Sequence, residues 1–297
     1  MIRGDFGVDD ARRLAVAGID REHSSSLGSI GSVAVRHRDA IVAVALTVAG
    51  GALCWLLALP LIVANVLLLG VPASYLLARS AETRRAIRPR FVVRYIVFVV
   101  VFVDYMCVRY DAWDNASVLP DLPGGITVEQ VVCLALLIVL VLTVNERYFA
   151  TPDLSAPKSV GKAVLIAMFV TGLTIALVPA LQAPFDSYTY MWIGLALYPP
   201  VIALAIVIVP GVVREMVAVT LVVAPVILGF ELLALHHDYW VFEGQYVGEV
   251  TVLGLAFPTE ELLFFVLLAA PAVVGAYAIY KNWKGLGRPT PSTGSGG

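Results

Sequence analysis

The sequence predicts an all-α integral membrane protein of about eight transmembrane helices, set in two parallel four-helix repeats. Three observations predict it. Hydrophobic residues make up 60% of the 297-residue chain and charged residues 14%, with a mean hydropathy of +0.88. A soluble domain of this size has no core large enough to hide so much apolar surface. The apolar residues fall in continuous runs, each long enough to cross the roughly 30 Å of bilayer hydrocarbon, where a helix satisfies its own backbone. A constellation of polar and aromatic residues also recurs: Asp104, Asp111 and Trp113 return as Glu231, Asp238 and Trp240 at an offset of 127, and Glu129 returns as Glu260 at 131.

Taken in order, residues 1–38 are charged and carry Ser and Gly but no signal-peptide core, and read as a flexible cytoplasmic segment. The first repeat, 39–150, holds spans at 40–57, 60–77, 91–108 and 128–144. The second, 151–284, holds spans at 160–181, 190–209, 217–234 and 252–277. The first two spans lie in a stretch of 39 residues, 40–78, without a charge, where Gly50, Gly51 and Pro60 are the only turn signals. One long tilted span there would leave seven helices. Residues 285–297 are rich in Pro, Ser and Gly and read as a disordered tail.

Basic residues favour eight. With both termini in the cytoplasm, 19 of the 20 Lys and Arg fall on the inner side, and only Arg109 is outside. That is the positive-inside pattern of a multi-pass protein of the cell membrane. The same bookkeeping puts Asp104, Glu231, Glu129 and Glu260 at the outer ends of spans three, seven, four and eight. The two halves then share one orientation, related by an axis along the membrane normal. The net charge of −2, with basic residues dispersed, gives no face for nucleic acid. Cys54, Cys107 and Cys133 lie in or beside apolar runs and read as buried thiols, with no metal-ligand spacing.

Acids at membrane helix ends are costly and point to function. A carboxyl group held in hydrocarbon favours its neutral form and can act as an acid. Aromatic faces beside it stabilise a cation. The acids in these positions are Glu260, Glu261, Glu129, Glu231 and Asp104; the aromatic and imidazole groups beside them are Trp113, Trp240, Tyr239, His236, Phe264 and Phe265. Each has a plainer reading. Trp113 and Trp240 suit an interfacial belt, His236 and His237 suit solvent, and Glu260 suits a helix N-terminus.

The stretch from Glu231 through His236-His237-Asp238-Tyr239-Trp240, followed by Phe257-Pro258-Thr259-Glu260-Glu261-Leu-Leu-Phe264-Phe265, resembles the small membrane-type lycopene cyclase domain family of bacteria and archaea. The resemblance covers about residues 94–280 and is more specific in its second half. It implies a two-half membrane enzyme that closes a ring at the end of an acyclic carotenoid, with no cofactor; no Gly-x-Gly-x-x-Gly follows a strand. The first half departs from the family pattern, with Thr127-Val128-Glu129-Gln130 in place of Pro-x-Glu-Glu, and Glu231 replaces the usual aspartate.

From these residues, Asp104, Glu129, Glu231 and Glu260 are expected to converge on one cavity, with Trp113 or Trp240 on its wall and the carotenoid reaching in from lipid. A proton-coupled transporter or channel would also carry parallel repeats and intramembrane acids, but it needs polar groups at the bilayer midplane, and the centres of these spans are apolar. No late-helix lysine serves a retinal, and no Asp-rich pair serves a magnesium diphosphate.

Overall fold

The computed structural model describes residues 35–150 and 187–284, with Ala163, Ile166, Ala167 and Gly172 between them. It divides into two units, Met1–Val42 and Ala43–Gly297. The described part of the first is only the opening turns of a helix; all the other described residues belong to the second. Of the expected flexible segment 1–38, residues 35–38 instead open α1, which runs from Val35 to Leu57; residues 1–34 and the expected tail 285–297 lie outside the described residues.

Seven helices among the described residues are long and apolar enough to cross a membrane: α1 (Val35–Leu57), α2 (Leu61–Ala78), α4 (Pro89–Arg109), α5 (Val128–Phe149), α6 (Thr189–Ile208), α7 (Val212–His236) and α8 (Glu261–Lys284). A short helix, α3 (Ala81–Ala86), joins α2 to α4. The chain is thus an all-α multi-pass membrane protein. The expected span at 160–181 lies outside the described residues apart from Ala163, Ile166, Ala167 and Gly172, which are helical.

The uncharged stretch 40–78 is two helices and not one. The break comes at Ala58, whose φ is 46°, just before Pro60. Gly50, expected as a turn, lies inside α1 and serves close packing instead: a Cβ there would stand 3.0 Å from the Leu67 carbonyl oxygen of α2. Sequence signals start the other helices. Ser80 caps α3 by accepting from Thr83 N at 3.1 Å. Pro89 opens α4, where its missing N–H costs nothing. Thr127 caps α5 by accepting from Gln130 N at 3.2 Å. The last span begins later than expected, because residues 249–258 form a hairpin of strands β3 (Glu249–Val252) and β4 (Leu255–Pro258) closed by Leu253 and Gly254, both at positive φ.

At one end of the helices polar contacts tie α5, α7 and α8 together. Lys281 meets Glu146 at 2.6 Å, and Asn145 donates to Glu215 at 3.2 Å. At the other end α4 and α7 finish in the same turn. Ala112 N donates to Cys107 O at 2.8 Å and Asp111 N to Val108 O at 3.2 Å; Tyr239 N donates to Ala234 O at 2.8 Å and Asp238 N to Leu235 O at 3.3 Å. All four residues of each turn correspond at the offset of 127. Both are Schellman caps, and the aspartates sit at the left-handed position, with φ of 50° and 52°, where Asp is tolerated better than most residues.

The two loops that leave these caps pair as antiparallel strands, β1 (Asp114–Asn115) with β2 (Trp240–Val241). Asp114 faces Val241, its own counterpart at 127, and Asn115 faces Trp240. A strand pair that matches a residue with its own repeat partner has a local twofold through that match. Since α5 starts from this end and α6 brings Tyr190 back to it, Ala150 and Ser187 lie at opposite ends of the helices.

Candidate active site

Beneath the paired loops lies a cavity of about 520 Å³, counting the open space at its mouth. Helix α4 lines it with Val99, Val103 and Asp104, and α5 with Gln130, Cys133 and Leu134. Helix α6 gives Tyr190 and Tyr198, α8 gives Glu261 and Phe265, and the loops give Trp113, Asn115, Trp240 and Phe242. The wall is largely apolar and aromatic, with two carboxyl groups set in it.

Backbone geometry brings those acids forward. Asp104 ends a wide π-type turn, Val100–Asp104, and Glu261 begins another, Glu261–Leu268. Such turns shift the register of a helix face and recur at functional sites. Both side chains are buried. Asp104 Oδ1 accepts from Gln130 Nε2 at 2.9 Å, and Gln130 Oε1 accepts from Asn115 Nδ2 at 2.6 Å. Asp104 Oδ2 has no partner among the described residues.

Glu231, fully buried on α7, stands behind Glu261. Its Oε1 accepts the indole N–H of Trp240 at 3.0 Å. Its Oε2 has no donor in hydrogen-bonding geometry among the described residues, and its carboxyl group interacts directly with that of Glu261, which also meets Tyr190. Asp104, Glu231 and Glu261 all lie within electrostatic reach of the Cys133 thiol. Asp104 and Glu261 thus line one cavity, and Glu231 stands beside Glu261.

Glu129 and Glu260 are placed differently. Glu129 Oε1 accepts from Val118 N at 2.8 Å and Leu119 N at 2.9 Å, and its Oε2 from Ser117 Oγ at 2.8 Å. Glu260 Oε1 accepts from Val247 N at 2.7 Å. Both are fully buried yet turned into the loops, away from the cavity lining. The expected convergence of Asp104, Glu129, Glu231 and Glu260 is replaced by Asp104, Glu231 and Glu261. For Glu260 the physical reason is the hairpin β3–β4, which fixes the azimuth at which α8 begins, adjacent residues on a helix pointing about 100° apart; Glu129 is held by the Ser117 hydroxyl and the Val118 and Leu119 amides of the loop before α5.

Of the expected aromatic groups, Trp113, Trp240 and Phe265 line the cavity. Phe264 stands behind it, stacked on Tyr198 at 5.7 Å and edge-on to Tyr190 at 5.8 Å. It presses on Gly194 of α6, where any Cβ would enter its ring. His236 and Tyr239 turn the other way: His236 stacks on Trp55 of α1 at 3.9 Å, and Tyr239 donates its hydroxyl to the Leu59 carbonyl. Sequence reasoning missed Tyr190 and Tyr198, whose spacing of two helical turns on one face was the available signal, and read Gln130 only as a missing acid. No group of three or more His, Cys, Asp or Glu side chains that could hold a metal occurs among the described residues.

Compared with models of protein families, with curated proteins and with solved structures, the chain matches none. A functional reading therefore stands on the cavity's geometry and the sequence motifs.

Proposed function

We propose that the cavity is the active site of a non-redox carotenoid cyclase, which closes a ring at the end of an acyclic polyene such as lycopene. The observation that carries the proposal is that Asp104 and Glu261, both buried, line one aromatic, largely apolar cavity among membrane helices, with Glu231 beside Glu261. The likeness of residues 231–265 to membrane-type cyclases supports the same reading.

The chemistry requires an acid, a dry cation site and a base. The proton held by the Glu231 and Glu261 pair passes from Glu261 to the terminal carbon–carbon double bond, leaving a tertiary cation. A nearby double bond of the chain attacks that cation, forming the ring bond and moving the positive charge to a ring carbon. Loss of a proton from the adjacent carbon gives the ring double bond. Atoms and electrons balance, and the product is an isomer of the substrate. Trp113, Tyr190, Trp240 and Phe265 present ring faces to the cation, each worth about 2 kcal/mol when desolvated. The apolar lining excludes water, which would otherwise capture the cation.

The substrate enters from lipid, and the basic-residue pattern supports a cavity at the outer face of the cell membrane with both termini in the cytoplasm. The direct test is pigment extraction from cells that make lycopene, with and without this protein. A cyclic product of unchanged mass, made without added flavin or nicotinamide, is expected. Unaltered lycopene and unaltered longer acyclic carotenoids would overturn the reading.

A further inference from the structure

The two halves carry matched pairs on matched helices. Gln130 follows Glu129 as Glu261 follows Glu260, so Gln130 is the counterpart of Glu261 at the offset of 131, while Asp104 is the counterpart of Glu231 at 127. Both pairs touch: Gln130 Nε2 lies 2.9 Å from Asp104 Oδ1, and Glu261 meets Glu231 carboxyl to carboxyl. They differ by one functional group, an amide in place of an acid.

That difference has a chemical meaning. A pair of carboxyl groups holds a proton it can give away. An amide beside a carboxylate holds none, and its NH2 can only donate a hydrogen bond. Asn115 fixes the direction, since its Nδ2 lies 2.6 Å from Gln130 Oε1 and the donors run from Asn115 through Gln130 to Asp104. One oxygen of Asp104 is thereby anchored. The other, Oδ2, is buried in the cavity wall without a partner among the described residues.

We infer that Asp104 is the base that removes the ring proton and that Gln130 is its positioning residue, so that two halves built on one plan have divided acid and base between them. This rests on the cyclase reading. In the last step the C–H bond beside the ring cation breaks, its electron pair becomes the ring double bond, and the proton goes to Asp104 Oδ2. The Glu231 and Glu261 pair has lost one proton and Asp104 has gained one, and exchange with solvent resets both. The other titratable groups around Asp104 are Cys107 on its own helix, Cys133 on α5, Tyr198 on α6, Glu231 on α7, which reaches the same Cys133, and Glu261 on α8, which reaches the same Cys107 and Cys133. None of them is a cation, so the N–H that Gln130 gives to Oδ1 is what favours the ionised form in which Asp104 can take a proton. The orienting donor is Gln130.

The test uses the full chain in lipid vesicles containing lycopene, with the cyclisation rate followed against pH and in D2O. Gln130→Glu gives Asp104 a carboxyl partner that competes for its ionised form. Its rate is expected to fall about 10²-fold at neutral pH and to recover as the pH rises, moving the acidic limb of the profile upward. Asp104→Asn leaves the acid in place without the base, so acyclic lycopene recovered from D2O should carry deuterium, while lycopene recovered from Glu261→Gln should carry none. A wild-type pH profile in Gln130→Glu, normal cyclisation by Asp104→Asn, or undeuterated substrate recovered from it would each overturn the inference. If Gln130→Glu does not fold, the Asp104→Asn exchange decides alone. Failure of the wild-type chain to cyclise any acyclic carotenoid is a different outcome, and removes the cyclase reading itself.

Discussion

Trp240 gives its indole N–H to Glu231 at 3.0 Å, whereas Trp113, its counterpart in the first half, holds its indole nitrogen buried without a partner among the described residues. The two tryptophans occupy equivalent places in the repeat but have unequal work. Removing the N–H from each should separate them. Trp240→Phe strands a buried carboxyl oxygen and is expected to lower stability by about 1–3 kcal/mol, while Trp113→Phe should be neutral or slightly stabilising. Thermal unfolding in detergent checks both, and equal losses would contradict the contrast.

Adjacent glutamates at the start of α8 should separate in the same way. Glu261→Gln is expected to lower cyclisation by about 10²–10⁴-fold, the usual contribution of a general acid, with little change in stability. Glu260→Gln and Glu129→Gln should keep the chemistry. They weaken carboxylate contacts to loop amides instead, at about 1–3 kcal/mol each. Rate and unfolding temperature measured on the three variants give the answer; loss of turnover in Glu260→Gln with Glu261→Gln unaffected would reverse the assignment.

Much of this was legible in the chain. Apolar runs marked the spans because lipid allows little else, and the 127-residue offset marked the paired helix ends because both carry the same Schellman cap. Which of two neighbouring glutamates faces the cavity was not legible, since that depends on how the β3–β4 hairpin delivers the chain into α8. Gln130 looked like a lost acid because sequence comparison of the halves shows identity and not contact. The direction of His236 was hidden as well, for its partner Trp55 lies 181 residues away.

Gly194 is a packing prediction. Its lack of a side chain admits the Phe264 ring that buttresses Tyr190 and Tyr198. Gly194→Ala should therefore destabilise by about 1–3 kcal/mol as an overpacked core does, despite the higher helix propensity of Ala. A more stable variant would show that Phe264 moves aside freely.

Sidedness can be read with thiol reagents. In a chain whose buried cysteines Cys54, Cys107 and Cys133 do not react, Pro120→Cys and Gln245→Cys should label from outside the cell, and Arg85→Cys only after permeabilisation. Labelling of Arg85→Cys and Gln245→Cys from the same side would refute the assigned orientation.

Two of the buried acids find their polar partner on the next helix to be synthesised: Asp104 meets Gln130 of α5, and Glu231 meets Glu261 of α8. During insertion, α4 and α7 need wait for only one further helix before their carboxyl groups are shared. Each can then leave the translocon as half of a hairpin that already carries its own polar match, at a smaller penalty than a lone acid in lipid. The strand pair between Asn115 and Trp240 can form only after α7 has been made, long after α4 and α5. The roof over the cavity thus joins two parts of the chain that are made far apart in time.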